Sequence, residues 1–191
     1  MNNTSDYIEY DVALKKGISL LKDPRKCVVG FYITLSINAG LRASDLLKLK
    51  FSDLNDLKEN DCLLIEEKKT KKKRRITINK HVEYSYLTLV SELKKQNKYK
   101  EDDYIFKSQK NTIYSTVSIN RLLKEVFKIK KLNISSHSLR KSFGRKIYDN
   151  NNQTEHSLVL LSDIFGHSNL SITRRYLGLR EEEIENVYLS L

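Results

Sequence analysis

A single proline and six glycines in 191 residues leave this chain few places to turn. That shortage argues against an all-β sandwich or barrel, which needs a turn signal about every 8–12 residues. Leu, Ile, Lys and Glu fill the intervals, so the expected class is mainly α with a small antiparallel β-sheet, an α+β fold. The length suits one domain with a core of its own and leaves little room for two. Cys27 and Cys62 lie far apart and outside any Cys/His cluster. They read as buried free thiols, not a disulfide or zinc ligands.

Thirty-five Lys and Arg against 24 Asp and Glu give a net charge of +11, which favours a polyanionic partner. Nucleic acid comes first and an anionic membrane second. No uncharged apolar run approaches the roughly 20 residues that cross a bilayer, and the leader MNNTSDYIEYD is polar and acidic, unlike a signal peptide. The expectation is a soluble, cytoplasmic chain with no membrane partner.

Hydrophobic periodicity predicts an amphipathic helix over 11–22, a buried helix from Cys27 to Ile37 ending near Gly40, and a short helix turning Leu46, Leu47 and Leu49 inward. Leu63 to Ile65 and Arg75 to Ile78 read as strands of a hairpin with a cationic tip, since seven of the eight residues from Lys68 to Arg75 are basic. Helices return at Val82 to Leu93 and at Ile119 to Phe127, the second capped by Ser115 or Ser118. Leu139, Phe143 and Ile147 mark the core face of a helix entered near Ser136, and Gly144 in that helix suggests close packing. Leu158 to Phe165 stops at Gly166, Ser171 is a candidate cap for the helix carrying Tyr176, and Ile184, Val187, Tyr188 and Leu191 form a final apolar stripe.

Three segments set a cation or imidazole beside a glycine turn or a helix start, where anions are readily bound. The first holds Arg42 and Asp45, three apart, so one helical turn could pair the carboxylate with the guanidinium, or form only an exposed salt bridge. The second holds His137 and Arg140, again three apart, and a phosphate could meet both; the bland alternative is a solvated helix face. In the third, His167 precedes Tyr176 by nine residues. Tyr176 is one of 11 tyrosines, so chemistry alone does not single it out. The basic run Lys68, Lys69, Lys71, Lys72, Lys73, Arg74 and Arg75 could neutralise several phosphates. No Gly-rich phosphate loop, zinc-protease helix, serine elbow or Mg²⁺ carboxylate cluster is present. The economical hypothesis therefore uses no metal and no cofactor.

Taken in order, Gly40-Leu41-Arg42-Ala43-Ser44-Asp45-Leu46, the Lys69-Thr70 hairpin, His137-Ser138-Leu139-Arg140-Lys141-Ser142-Phe143, Phe165-Gly166-His167-Ser168 and Tyr176 resemble the tyrosine recombinase (phage integrase) family, from about Asp11 to Leu179. The resemblance implies that family's catalytic-domain fold and cleavage and rejoining of duplex DNA by transesterification through a 3′-phosphotyrosine. Carried onto these residues, it makes Arg42 and Arg140 the clamp on the scissile phosphate, Asp45 the acid steadying Arg42, and Tyr176 the nucleophile. His137 assists proton removal, His167 donates to the phosphate, and Lys69, with Lys71 as second choice, protonates the leaving 5′ oxygen. Lys68, Lys71, Lys72, Lys73, Arg74, Arg75 and Lys141 are expected on the DNA side. Two departures stand out: Lys141 occupies a position where the family usually has histidine, and Phe165 one where leucine is common.

The implied organisation is a polar leader over 1–10, the catalytic domain over 11–179 and a C-terminal helix over 180–191 that docks on a neighbouring copy or on its own chain. Most members carry a helical DNA-clamping domain ahead of the catalytic one. A compact enzyme like the fimbrial inversion recombinases, or a piece of a longer clamp, is therefore expected. The expected partners are double-stranded DNA, further copies of the chain (dimer to tetramer on DNA) and accessory DNA-bending proteins. Two alternatives stay open, a type IB topoisomerase-like relaxing enzyme and a non-catalytic DNA-binding regulator on the same fold.

Overall fold

An α-helix that is apolar all round must lie inside a protein, and the segment after Pro24 becomes the axis of this one. In the computed structural model, which describes residues 4–69, 71–108 and 110–191 (180–183 by backbone alone), helix α2 spans Cys27–Ala39. Eleven of its 13 residues are buried. Phe31, Tyr32, Ile33, Leu35 and Ile37 are each at most 1% exposed, and each such side chain contributes about 1.5–3 kcal/mol by leaving water. Helix α1 (Tyr10–Leu21) packs on α2 almost backbone to backbone. A Cβ on Gly30 would stand 2.7 Å from the Gly17 carbonyl oxygen and 2.8 Å from the Leu21 nitrogen.

Helix α2 ends at Gly40, whose φ of 57° provides the left-handed C-cap. A side chain there would also run into the ring of Phe143. Helix α3 (Ala43–Leu46) follows at once, and Leu46, Leu47 and Leu49 are buried as their spacing predicts. Strands β1 (Cys62–Glu66) and β2 (Lys73–Thr77) pair antiparallel, with Leu63 opposite Ile76 and Glu66 opposite Lys73. The cationic run is therefore not all tip. Lys73, Arg74 and Arg75 lie in β2, and strand alternation sends Arg74 to the same face as buried Ile76.

Helices α4 (Lys80–Lys95) and α5 (Thr116–Phe127) are capped by the side chains of Asn79 and Ser115. Helix α6 (Ser136–Asn150) packs on α2, and α7 (Glu155–Phe165) and α8 (Leu170–Leu177) build a smaller core around Leu158, Leu161, Phe165 and Leu177. Gly144 lets that core approach α6, because a Cβ there would lie 2.6 Å from Leu177 Cδ2. Ser171 does not cap α8. Asn169 does, its Oδ1 accepting from the Ile172 N–H at 3.1 Å, while Ser171 falls within the helix.

The leader is not a loose tail where the structure describes it. Ser5 Oγ lies 2.6 Å from Ser135 Oγ, and buried Ile8 donates its N–H to Ser142 Oγ on α6. Helix α9 (Leu179–Leu189) closes the chain, and its Val187, Tyr188 and Leu189 are exposed.

The tight α1–α2 contact yields a first expectation. Gly30→Ala must push backbone against backbone, and urea unfolding is expected to show a loss of about 1–3 kcal/mol; a midpoint equal to wild type would contradict the packing described.

Candidate active site

Arg42 leaves the chain from extended backbone, φ −71° and ψ 147°, between the Gly40 turn and α3. It is not part of the helix, so its side chain does not share a helical face with Asp45. Nη1 instead donates to Glu67 Oε2 at 2.6 Å, and Nη2 to the Phe165 carbonyl oxygen at 3.0 Å. Asp45 is buried, and its Oδ1 accepts the Lys68 N–H at 3.0 Å. The acid expected to steady Arg42 thus anchors the hairpin, and Glu67 pairs with the arginine.

Arg140 rises from the first half of α6, 5% exposed. Its Nη2 reaches the same Phe165 oxygen at 3.3 Å, and its guanidinium stacks over the Phe165 ring at 4.7 Å. That carbonyl is the C-terminal end of α7, where helix oxygens lack intrahelical partners and the macrodipole is negative. Gly166 follows at φ 66°, and a Cβ there would sit 3.9 Å from Arg42 Nη2. Two guanidiniums from distant segments therefore meet at one oxygen.

Around them stand the other candidates. Tyr176, on α8, packs edge-on against Phe165 and His167, with ring centroids 5.2 and 5.4 Å away. Its hydroxyl is buried and has no hydrogen-bond partner among the described residues. Burial pushes the phenol pKa up to about 12, with Arg140 and then Arg42 pulling the other way. The same burial lowers Arg140 to about 10. His167 Nδ1 lies 2.9 Å from buried Thr173 Oγ1, which leaves Nε2 as the ring's open atom. His137 sits at the exposed start of α6. Both imidazoles are held below the usual histidine range, first by desolvation and then by the charge of Arg140.

Lys69 stands exposed in the turn between the strands, outside this hydrogen-bonded cluster; Thr70 lies outside the described residues. Lys68, Lys71, Lys72, Lys73 and Arg75 are exposed. Two expected DNA ligands are not. Arg74 turns inward, donating to the Ala39 carbonyl at 2.9 Å and the Gly40 carbonyl at 3.4 Å, with Glu67 Oε1 at 3.5 Å. It completes the C-terminus of α2. Lys141 is 9% exposed, and its Nζ lies over the Tyr176 ring at 5.5 Å, because the α6 turn that aims Arg140 inward carries its neighbour with it. Glu67 and Thr173 were missed, since neither stands in a pattern that marks it before the chain is folded.

Residues 13–183 match the phage integrase family. The chain belongs to that family. It is 33% identical over 160 residues to a probable integrase/recombinase, YoeC, of Bacillus subtilis, covering 83% of this chain and 81% of that one. It is 29% identical over 168 residues to the tyrosine recombinase XerA of Pyrococcus horikoshii, covering 85% of this chain and 53% of XerA. Its fold is that of the XerH site-specific recombinase solved on a palindromic difH substrate, with a TM-score of 0.67 and 20% identity over 96% of this chain and 52% of XerH. The family member described here thus spans about half the length of XerA and XerH. Its fold is the mainly helical one with a small antiparallel sheet that the sequence predicts.

Breaking the buried pair on one side should be costly, so Arg74→Ala is expected to lose about 3–5 kcal/mol in urea unfolding. Lys73→Ala, on the opposite face of the same strand, should leave the midpoint in place. The histidines predict a pH effect. Their folded pKa values lie below the unfolded value, so the unfolded chain binds protons first as pH falls. The stability they contribute is complete above about pH 6.5 and declines below it. A melting temperature that falls between about pH 7 and 5.5, with a smaller fall in a His137→Gln/His167→Gln variant, is the expected pattern.

Proposed function

We propose that this chain is a site-specific DNA recombinase that cleaves and rejoins duplex DNA by transesterification at Tyr176. The observation that carries the reading is the meeting of Arg42 and Arg140 at one oxygen beside the buried Tyr176 phenol. A phosphodiester is already an anion, and its five-coordinate transition state places more charge on the nonbridging oxygens. Two planar guanidiniums suit that charge. The names of the relatives, integrases and recombinases, favour this reading over a relaxing topoisomerase or a non-catalytic regulator.

In this mechanism the Tyr176 oxygen attacks phosphorus in line. The bond from phosphorus to the 5′ oxygen breaks, and a 3′-phosphotyrosine remains. A phenol raised to about 12 is un-ionised at neutral pH, so its proton must leave during attack. His137, held below the usual imidazole range and hence neutral, receives it. His167, fixed through Thr173, donates from Nε2 to a nonbridging oxygen. Lys69 gives a proton to the departing 5′ oxygen. A 5′ hydroxyl from a partner strand reverses each step, so resealing needs no external energy source. The exposed lysines of the hairpin and Arg75 follow the backbone of double-stranded DNA, and binding weakens steeply with salt.

Strand exchange needs several protomers, a dimer to a tetramer on DNA. Ile184, Val187 and Tyr188 in α9 are 50%, 62% and 74% exposed, which makes that helix the contact to a neighbouring copy.

The deciding experiment incubates the protein with a nicked suicide duplex. A covalent protein–DNA adduct is expected with wild type and none with Tyr176→Phe; an equal yield from the variant would refute the assignment. Arg42→Ala and Arg140→Ala are each expected to lose about 100-fold or more in cleavage while DNA affinity changes little, because their contacts strengthen in the transition state.

A further inference from the structure

We infer that Glu67 is the positioning residue of the phosphate clamp, fixing Arg42 for the reaction; this rests on the recombinase reading above. Glu67 is 5% exposed, at the inner end of the hairpin turn. Its own backbone is fixed, since its N–H donates to the Lys72 carbonyl at 3.0 Å and its carbonyl accepts the Lys71 N–H at 2.9 Å. Among the described residues the side chain pairs with Arg42 at 2.6 Å and Arg74 at 3.5 Å. Arg74 is in turn tied to the Ala39 and Gly40 carbonyls. A continuous polar chain therefore runs from the end of α2 through Arg74, Glu67 and Arg42 to the Phe165 carbonyl.

Two physical consequences follow. Arg42 is held at both terminal nitrogens, one by Glu67 and one by Phe165. A guanidinium has five N–H donors, so this anchoring leaves donors over for a phosphate. Charge matters as much. Arg42, Arg74 and Arg140 crowd one partly desolvated region, and mutual repulsion would spread them apart without a carboxylate among them. Glu67 is the carboxylate in direct contact with Arg42 and Arg74, Asp45 acts on Arg74 only through its charge, and two carboxylates against three guanidiniums leave the cluster net positive, which is what an anionic transition state requires. Asp45 does not fill this role, since its Oδ1 holds the Lys68 amide.

The test is single-turnover cleavage of a nicked suicide duplex at saturating protein, read beside DNA affinity and thermal melting, for wild type, Glu67→Ala and Glu67→Gln. Glu67→Ala is expected to cleave about 100-fold more slowly with DNA affinity within about threefold. Glu67→Gln keeps an acceptor for Arg42 but not the charge, and should recover part of the rate. The same proteins are then given a duplex whose scissile 5′ bridging oxygen is sulfur, a leaving group that needs no acid. The Glu67→Ala defect should persist there, since Arg42 acts on nonbridging oxygens. Wild-type rates in both variants would overturn the inference, as would a defect erased by the sulfur leaving group, which would assign Glu67 to Lys69 instead. Equal losses of affinity and cleavage in Glu67→Gln would reduce it to a folding role. If Glu67→Ala does not fold, the isosteric Glu67→Gln decides alone. Absence of an adduct from wild-type protein sinks the recombinase reading itself, an outcome distinct from a normal wild-type adduct with unaffected variants.

Discussion

Two positively charged side chains share the carbonyl oxygen of Phe165, and the rest of the site is arranged around that contact. Guanidiniums repel, so bringing Arg42 and Arg140 to one atom needs a strong and fixed acceptor. The C-terminal end of α7 is such an acceptor, an unsatisfied helix carbonyl at the negative end of the macrodipole. Every element nearby then has a defined task. The Gly40 turn releases Arg42 from α2, α6 carries Arg140 inward, and the left-handed Gly166 ends α7 with its oxygen uncovered.

The same concentration of positive charge sets the chemistry of the neighbouring groups. It opposes the burial that raises the Tyr176 phenol, and it adds to the burial that lowers His137 and His167. The outcome at neutral pH is an un-ionised phenol packed against the His167 ring. Thr173 lies within hydrogen-bond distance of His167 and Glu67 pairs with Arg42, so each of these side chains is tied to a residue that no motif marks.

Much of this was legible before folding. The helices over Cys27–Ala39, Ser136–Asn150 and Glu155–Phe165 follow from apolar spacing, with glycines ending the first and third. Arg42, Arg140, His167 and Tyr176 were marked by motif, and the fold brings them together. The differences have separate local causes. Pairing Arg42 with Asp45 assumed a continuous helix, but the extended backbone at Arg42 breaks that face. Assigning Arg74 to DNA assumed that the residues of a basic run point outward, and Lys141 was expected on the DNA side from its place in the second motif. The alternation of β2 turns Arg74 to the end of α2, and the pitch of α6 buries Lys141 over Tyr176. Ser171 lost the cap of α8 to Asn169, two residues earlier, whose side chain reaches the Ile172 amide.

By itself, then, the sequence determined the class of fold, the helices and the types of residue available to meet a phosphate, because periodicity, capping and net charge act over a few residues at a time. Which carboxylate orients which arginine was decided only when the hairpin folded onto the end of α2. Glu67 and Arg42 are 25 residues apart, and Arg42 and Phe165 are 123 apart. No local rule specifies the angle at which such segments meet; the packing of α6 against α2 on one side and α7 on the other does.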